Sequence, residues 1–324
     1  MAIPSEISSP PVSLTGEEPL FIVLNTGSGR HAEGEVEREI RKGLAAAGRR
    51  FVLLPVRDGR RLPATARQAV AQAQAEDGIV VAAGGDGTLN AVSQAVLGSG
   101  RPFGILPQGT FNYFGRAFGI SQQTDEAVQV LLDAVLKPVT VGLVNDRVFL
   151  VNASLGLYPR LLEDREAWKQ RFGRSRTVAF WSALVTLSGA HRQLTLTLET
   201  ERGSRALRSP TLVVGNNPLQ LEQIGVDEID QLAQGRLVAM TARELTPLAL
   251  YGLLLRGLLS RLGDAENVIT FGFDSLTVKL RGRRRVKVAM DGEICRLPTP
   301  LEFRVAPEPL WLLVPRQPAQ REQG

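Results

Sequence analysis

The sequence runs to 324 residues with 44% hydrophobic and 22% charged content, enough to bury the cores of two ordinary domains, and carries a modest net charge of +5. Its single cysteine, Cys295, excludes an internal disulfide, and two histidines, His31 and His191, are too few for a histidine-based metal site. No apolar run reaches the roughly 18 residues of a membrane span, and the first residues lack the charged-then-apolar layout of a secretory leader, so a cytoplasmic location is expected.

Residues 1–18 combine prolines and serines with little apolar periodicity and read as a disordered tail, as do residues 315–324. From Pro19 short apolar runs alternate with helical patterns. Strands are expected at Leu20–Leu24, Phe51–Val56, Gly78–Ala83 and Phe103–Leu106, and helices near Glu33–Ala47, Ala64–Ala75, Leu89–Leu97 and Thr124–Leu136. This βαβα rhythm predicts a parallel sheet with helices on both faces over residues 19–140.

After Pro138 strand-like segments follow one another closely: Val139–Leu143, Arg147–Val151, Gln193–Glu199, Thr211–Val214, Leu237–Thr241, Val268–Phe273, Ser275–Leu280, Arg285–Met290 and Leu301–Val305. They predict an antiparallel sandwich or barrel over residues 141–308. One helix is expected there, Thr246–Leu262, too short to span a bilayer and suited either to packing on the sandwich or to lying on a membrane. The arginines Arg281, Arg283, Arg284 and Arg285 mark either a solvated turn or a place that meets an anionic surface.

The sharpest chemical signal is the run from Val80 to Asn90, in which an apolar strand passes through Gly84-Gly85-Asp86-Gly87-Thr88-Leu89 into a helix. Glycines let backbone approach a phosphate, and the amides and dipole of the following helix favour the anion. Thr88 suits a helix cap or a phosphate donor. A carboxylate beside a polyphosphate is repulsive unless it meets a metal or takes a proton, so Asp86 argues for catalysis and is the candidate to meet a metal that comes with the phosphates. A second loop, Leu106-Pro107-Gln108-Gly109-Thr110-Phe111-Asn112, follows the same logic, and the first strand ends at Asn25-Thr26-Gly27. Such loops on neighbouring strands line one crevice in an open α/β sheet, which makes Asn25, Gly84, Gly109 and Thr110 further nucleotide-binding candidates. Far downstream, Met290-Asp291-Gly292-Glu293 reads as a hairpin turn whose two carboxylates offer a general base.

In this order and spacing, Gly84-Gly85-Asp86-Gly87-Thr88, Leu106–Asn112 and Met290-Asp291-Gly292-Glu293 resemble the diacylglycerol kinase catalytic family, which includes bacterial lipid kinases and the sphingosine and ceramide kinases. The resemblance implies an α/β + β fold. An N-terminal nucleotide-binding domain like those of NAD kinases and phosphofructokinases is followed by an antiparallel β-sandwich that takes lipid, and residues 309–314 return to the first domain. It implies an ATP site of Gly85, Asp86, Gly87, Thr88, Leu89 and Asn90 with Thr110, a proton-accepting carboxylate at Glu293, and catalysis between the domains. The implied reaction is magnesium-dependent phosphoryl transfer from ATP to the hydroxyl of a diacylglycerol-like lipid. The partners expected are ATP, that lipid and, peripherally, an anionic membrane surface; a homodimer is left open and nucleic acid is not expected.

The chain departs from the family in three ways. Ala91 and Tyr113 stand where acidic residues are usual. Ala233-Gln234-Gly235-Arg236 stands where many bacterial members have an Asp-Asp-Gly turn feeding a structural magnesium, and Thr26 follows Asn25 where proline is favoured. A kinase for a sphingoid base or NAD, and a non-catalytic nucleotide- or lipid-binding protein, are the alternative readings.

Overall fold

The computed structural model describes residues 13–27, 34–157, 159, 193–201, 203–226, 228–242 and 268–316. The chain forms two compact units, Met1–Val141 with Ala306–Gly324, and Gly142–Val305.

With strands and helices numbered in chain order, the first unit contains β1 (Leu20–Asn25), α1 (Glu35–Ala46), β2 (Phe51–Val56), α2 (Leu62–Ala75), β3 (Ile79–Gly84), α3 (Asp86–Val96), β4 (Phe103–Pro107), α4 (Tyr113–Ala117), α5 (Thr124–Leu132), β5 (Ala134–Val139) and the late strand β18 (Leu310–Pro315). The six strands form one sheet in the order β2-β1-β3-β4-β18-β5, parallel throughout except where β5 runs antiparallel to β18. Every residue of β3 and β4 is buried, as expected for parallel strands covered on both faces. Helix α1 packs on α5, and α2 on α3.

The second unit holds β6 (Gly142–Val144), β7 (Arg147–Phe149), β8 (Asn152–Gly156), β9 (Leu194–Thr200), β10 (Gly203–Ser209), β11 (Thr211–Gly215), α6 (Pro218–Gln223), α7 (Ile229–Ala233), β12 (Leu237–Ala242), β13 (Val268–Phe273), β14 (Ser275–Leu280), β15 (Arg285–Met290), β16 (Glu293–Pro298) and β17 (Leu301–Val305). Two antiparallel six-stranded sheets, β10-β9-β14-β17-β6-β7 and β13-β12-β11-β8-β15-β16, enclose a shared apolar core that includes Phe149, Leu196, Leu212, Val278, Val288 and Phe303. The chain thus has the expected fold class, an α/β domain followed by an antiparallel β-sandwich.

Three details differ from the sequence expectation. The helix expected at Thr124–Leu136 stops at Leu132, and Ala134–Val139 is a strand. The run Ala134–Val139 pairs along its whole length with Leu310–Pro315, a tertiary contact that overrides its local helical pattern. The expected N-terminal tail is shorter than residues 1–18, since the Glu18 side chain is buried and ion-paired with Arg49 at 3.1 Å. The strands β8 and β10 carry no alternation to announce them: β8 is a buried central strand made largely of small residues, and β10 is a largely exposed sheet edge. The expected helix Thr246–Leu262 lies outside the described residues.

Candidate functional site

The chemistry of the first unit gathers at the carboxyl ends of β1, β3 and β4. Strand β3 ends in Gly84, Gly85 is the N-cap of α3 in extended conformation, and Asp86, Gly87 and Thr88 form the first helical turn. The Thr88 and Leu89 amides donate back to the Gly85 carbonyl at 2.8 and 3.0 Å. The Gly87 amide, one residue nearer the start, belongs to the donors that a helix leaves without an intrahelical acceptor.

The loops after β3 and β4 lie back to back. The Gln108 amide donates to the Gly84 carbonyl at 2.8 Å, and a Cβ added to Gly109 would stand 2.9 Å from the Gly85 Cα. A Cβ on Gly84 would stand 2.5 Å from the Thr88 hydroxyl oxygen. Both positions therefore exclude any side chain, because the two loops pack against each other and against Thr88 too closely for one.

Thr88 is neither an exposed phosphate donor nor the helix cap. It is buried, and its hydroxyl accepts from the Asn25 amide nitrogen at 2.9 Å while the Asn25 carbonyl accepts from the Gly27 amide at 3.1 Å. Asn25 and Thr88 thereby tie the end of β1 to the start of α3. The Leu89 side chain is fully buried in the core, so it supports the loop from below rather than facing a ligand. Asp86, Gly87 and Asn90 are half-buried and Thr110 is exposed, so these four remain accessible.

Sequence reasoning overlooked the part played by Asn112. Its backbone is left-handed at φ 48°, it is 1% exposed, and its side chain accepts from the Gly109 amide at 2.8 Å and donates to the Gly109 carbonyl at 3.0 Å and to Gln122 Oε1 at 3.1 Å. One amide group closes the whole second loop. The signal was present as Gly109 with an asparagine three residues on, a residue type that tolerates left-handed backbone and bonds local main chain. Gln108 is buried as well and donates to the Thr124 hydroxyl at 3.1 Å, fixing the loop to the start of α5.

Tyr113 and Phe111 stack with ring centres 5.7 Å apart and planes within 6°. Burial pushes the Tyr113 phenol up, Arg116 pulls against it, and the Asp86 charge adds to the rise. At the position where the family usually has a carboxylate, this chain therefore places a neutral phenol within the field of Asp86.

In the second unit the two sequence-predicted carboxylates have separate fates. Asp291, at φ 47° in the β15–β16 turn, is buried, and its oxygens accept the amides of Leu150, Val151 and Asn152 at 2.8, 2.8 and 3.0 Å. It is a backbone clamp rather than the general base that the turn's two carboxylates suggested. Glu293, the first residue of β16, is exposed. A separate cavity of about 450 Å³ opens in this unit where the sheet edges β10 and β13 face each other, walled by Leu198, Leu207, Ile269, Phe271 and Phe273, and it contains none of the predicted site residues.

Fold and site together define a two-unit α/β and β-sandwich protein whose glycine loops meet at the carboxyl ends of its parallel strands. Residues 19–144 match the model of the diacylglycerol kinase catalytic domain. A diacylglycerol kinase of Staphylococcus haemolyticus is 42% identical over 80 residues, 24% of each chain. An uncharacterized protein of Synechocystis sp. is 28% identical over 258 residues, 77% of this chain, and the match spans 58% of that protein's length. In fold, a crystal structure described as a diacylglycerol kinase from Bacillus anthracis aligns with a TM-score of 0.66 and 16% identity, covering 94% of this chain and 98% of the other.

Proposed function

We propose that the protein is an ATP-dependent lipid kinase that transfers the γ-phosphoryl group of ATP to the hydroxyl of a diacylglycerol-like lipid, giving a phosphatidic-acid-type product. The observation that carries this reading is the pair of packed glycine loops at the start of α3, where Gly84 and Gly109 have no room for a side chain and Asp86 stands in the first helical turn. A diphosphate suits this place because main-chain amides at a helix start favour an anion. Neutralising the phosphate charge is the contribution magnesium makes when it arrives with ATP, and Asp86 is the residue suited to meet it. Gly87 and Thr110 donate to the phosphates, while Asn25, Thr88 and Asn112 hold the three loops in register. Tyr113 stays protonated and adds no charge beside the nucleotide. Glu293 takes the proton of the acceptor hydroxyl, a role open to it because its carboxylate is exposed while Asp291 is committed to backbone.

The test is phosphoryl transfer by the purified full chain, with labelled ATP and magnesium, to diacylglycerol, a sphingoid base and NAD in parallel. Label is expected in the lipid product of diacylglycerol. Label in NADP or in a sphingoid phosphate alone would reassign the acceptor, and nucleotide binding without transfer to any of them would make the chain a binding protein.

A further inference from the structure

The β14–β15 turn and the β15–β16 hairpin gather charge of one sign. Arg281, Arg283, Arg284, Arg285, Lys287 and Arg296 are all exposed. In the strand register Lys287 lies directly opposite Arg296 on the outer face, and Arg285 is on that same face two residues along. Like charges placed opposite each other across two strands are unfavourable on their own. The ordinary remedy would be a carboxylate between them. Arg281, Arg283, Arg284, Arg285 and Arg296 have none among the described residues; Arg285 instead donates to the Arg296 carbonyl at 3.2 Å.

The turn is also held in one shape. The Thr299 amide donates to the Arg284 carbonyl at 3.0 Å and its hydroxyl to the Arg283 carbonyl, while the Arg281 amide donates to the Thr195 carbonyl at 3.3 Å. A fixed backbone roots these side chains on one face and lowers the main-chain ordering lost on contact. Strand β16 is the outer edge of its sheet, so this face projects from the sandwich rim.

We infer that this hairpin face is a docking surface for an anionic lipid membrane. The inference rests on the lipid-kinase reading, because an enzyme whose acceptor lives in a bilayer has to meet that bilayer. Charge complementarity is the argument for the occupant: a membrane carrying acidic headgroups is a sheet of anions with no fixed register, matched by a cluster of cations with no shaped pocket between them. Single-stranded nucleic acid would call for aromatic rings on which bases stack, and residues 281–299 include none. Each basic side chain near such a membrane is worth about a fivefold change in partition, so removing three is expected to weaken binding on the order of 100-fold.

The experiment uses the full chain and two sets of phosphatidylcholine vesicles, with and without phosphatidylserine. Wild-type protein should sediment with the anionic set at low salt, lose binding as salt rises, and bind the neutral set weakly. The variant Arg283→Ser, Arg284→Ser, Arg285→Ser should lose most of the anionic binding while its melting temperature stays unchanged. The charge-keeping variant with three lysines should retain it. Transfer to diacylglycerol in neutral detergent micelles should be the same in all three proteins, which separates the surface from the chemistry. Wild-type binding by the serine variant at low salt overturns the inference. So does a labelled oligonucleotide that binds the same arginines more tightly than the vesicles do. If no protein transfers phosphate to any lipid, the kinase reading fails, while the arginine dependence of vesicle binding still decides the surface on its own.

Discussion

Asp86 and Asp291 carry the same carboxylate in opposite situations, and the difference assigns their work. The oxygens of Asp291 face three backbone amides, whereas Asp86 stands in the first turn of α3, where the helix dipole steadies a negative charge, half-open to the crevice. Asp86→Asn keeps the shape and removes the charge, so phosphoryl transfer is expected to fall by at least about 100-fold, the range of a lost acid–base or charge-stabilising group. Initial rates beside a thermal melt check it: rates within threefold of wild type would remove Asp86 from the chemistry, and a lowered melt would show a structural part. Glu18 gives a different residue-scale outcome. Burial raises its carboxyl, but hydrogen bonds from Thr15 and its own amide and the charge of Arg49 outweigh that and hold it below the usual 4.5. A carboxyl depressed in the folded state adds stability above its unfolded value and loses it as pH falls through the folded one. Glu18→Gln should cost about 3 kcal/mol at neutral pH by leaving Arg49 buried without its partner. The gap between variant and wild type in urea melts should narrow only below pH 4.5, and a gap that stays constant into acid would show that the ion pair is not its source.

At the scale of elements, legibility followed burial. Strands β1, β3 and β4 are continuous apolar runs because helices cover both faces, and their glycine loops were visible for the same reason: an abrupt change from apolar to glycine at a strand end. Strand β10 was invisible because a sheet edge needs no apolar alternation, and β5 was hidden because its run, Ala134 to Leu136, suits a helix and becomes a strand only through pairing with β18, far along the chain. What the sequence could not reveal was the internal wiring of the crevice. Asn25 to Thr88 spans 63 positions along the chain, and the Asp291 contacts span about 140, pairings that only the folded sheets create. The two edges of the first sheet share a device: Pro55 lies in β2 and Pro138 in β5, the outermost strands, where a residue without an N–H blocks growth of the ladder. Val52, exposed on β2, shows what that block guards. Replacing Pro55 and Pro138 together by threonine should leave the monomer folded but raise self-association. Light scattering at increasing concentration measures it, and unchanged scattering would mean that the edges are protected by something other than proline.

For the molecule as a whole, the open question of charge is whether a second cation belongs to the fold. The family's bacterial members often carry an Asp-Asp-Gly turn for a structural magnesium, and the matching residues here are Ala233, Gln234 and Gly235 at the end of α7. A hard divalent cation asks for several oxygen ligands, carboxylates above all, and among the described residues no group of three or more metal-binding side chains occurs. What stands beside that turn is a fixed organic cation. Arg236 donates to Gln231 Oε1 at 3.0 Å and meets Asp274 at 3.3 Å, linking α7 to the turn between β13 and β14. One guanidinium thus supplies a positive charge and a brace at once, and unlike an ion it cannot be extracted. Treating the nucleotide-free protein with a chelator should therefore leave its melting temperature unchanged, while Arg236→Ala should lower it by loosening that turn. Chelation should stop turnover all the same, by removing the magnesium that accompanies ATP. A clear drop in melting temperature on chelation alone would show that other oxygens rebuild a structural site, and an unaltered melt in Arg236→Ala would show that the brace carries no weight.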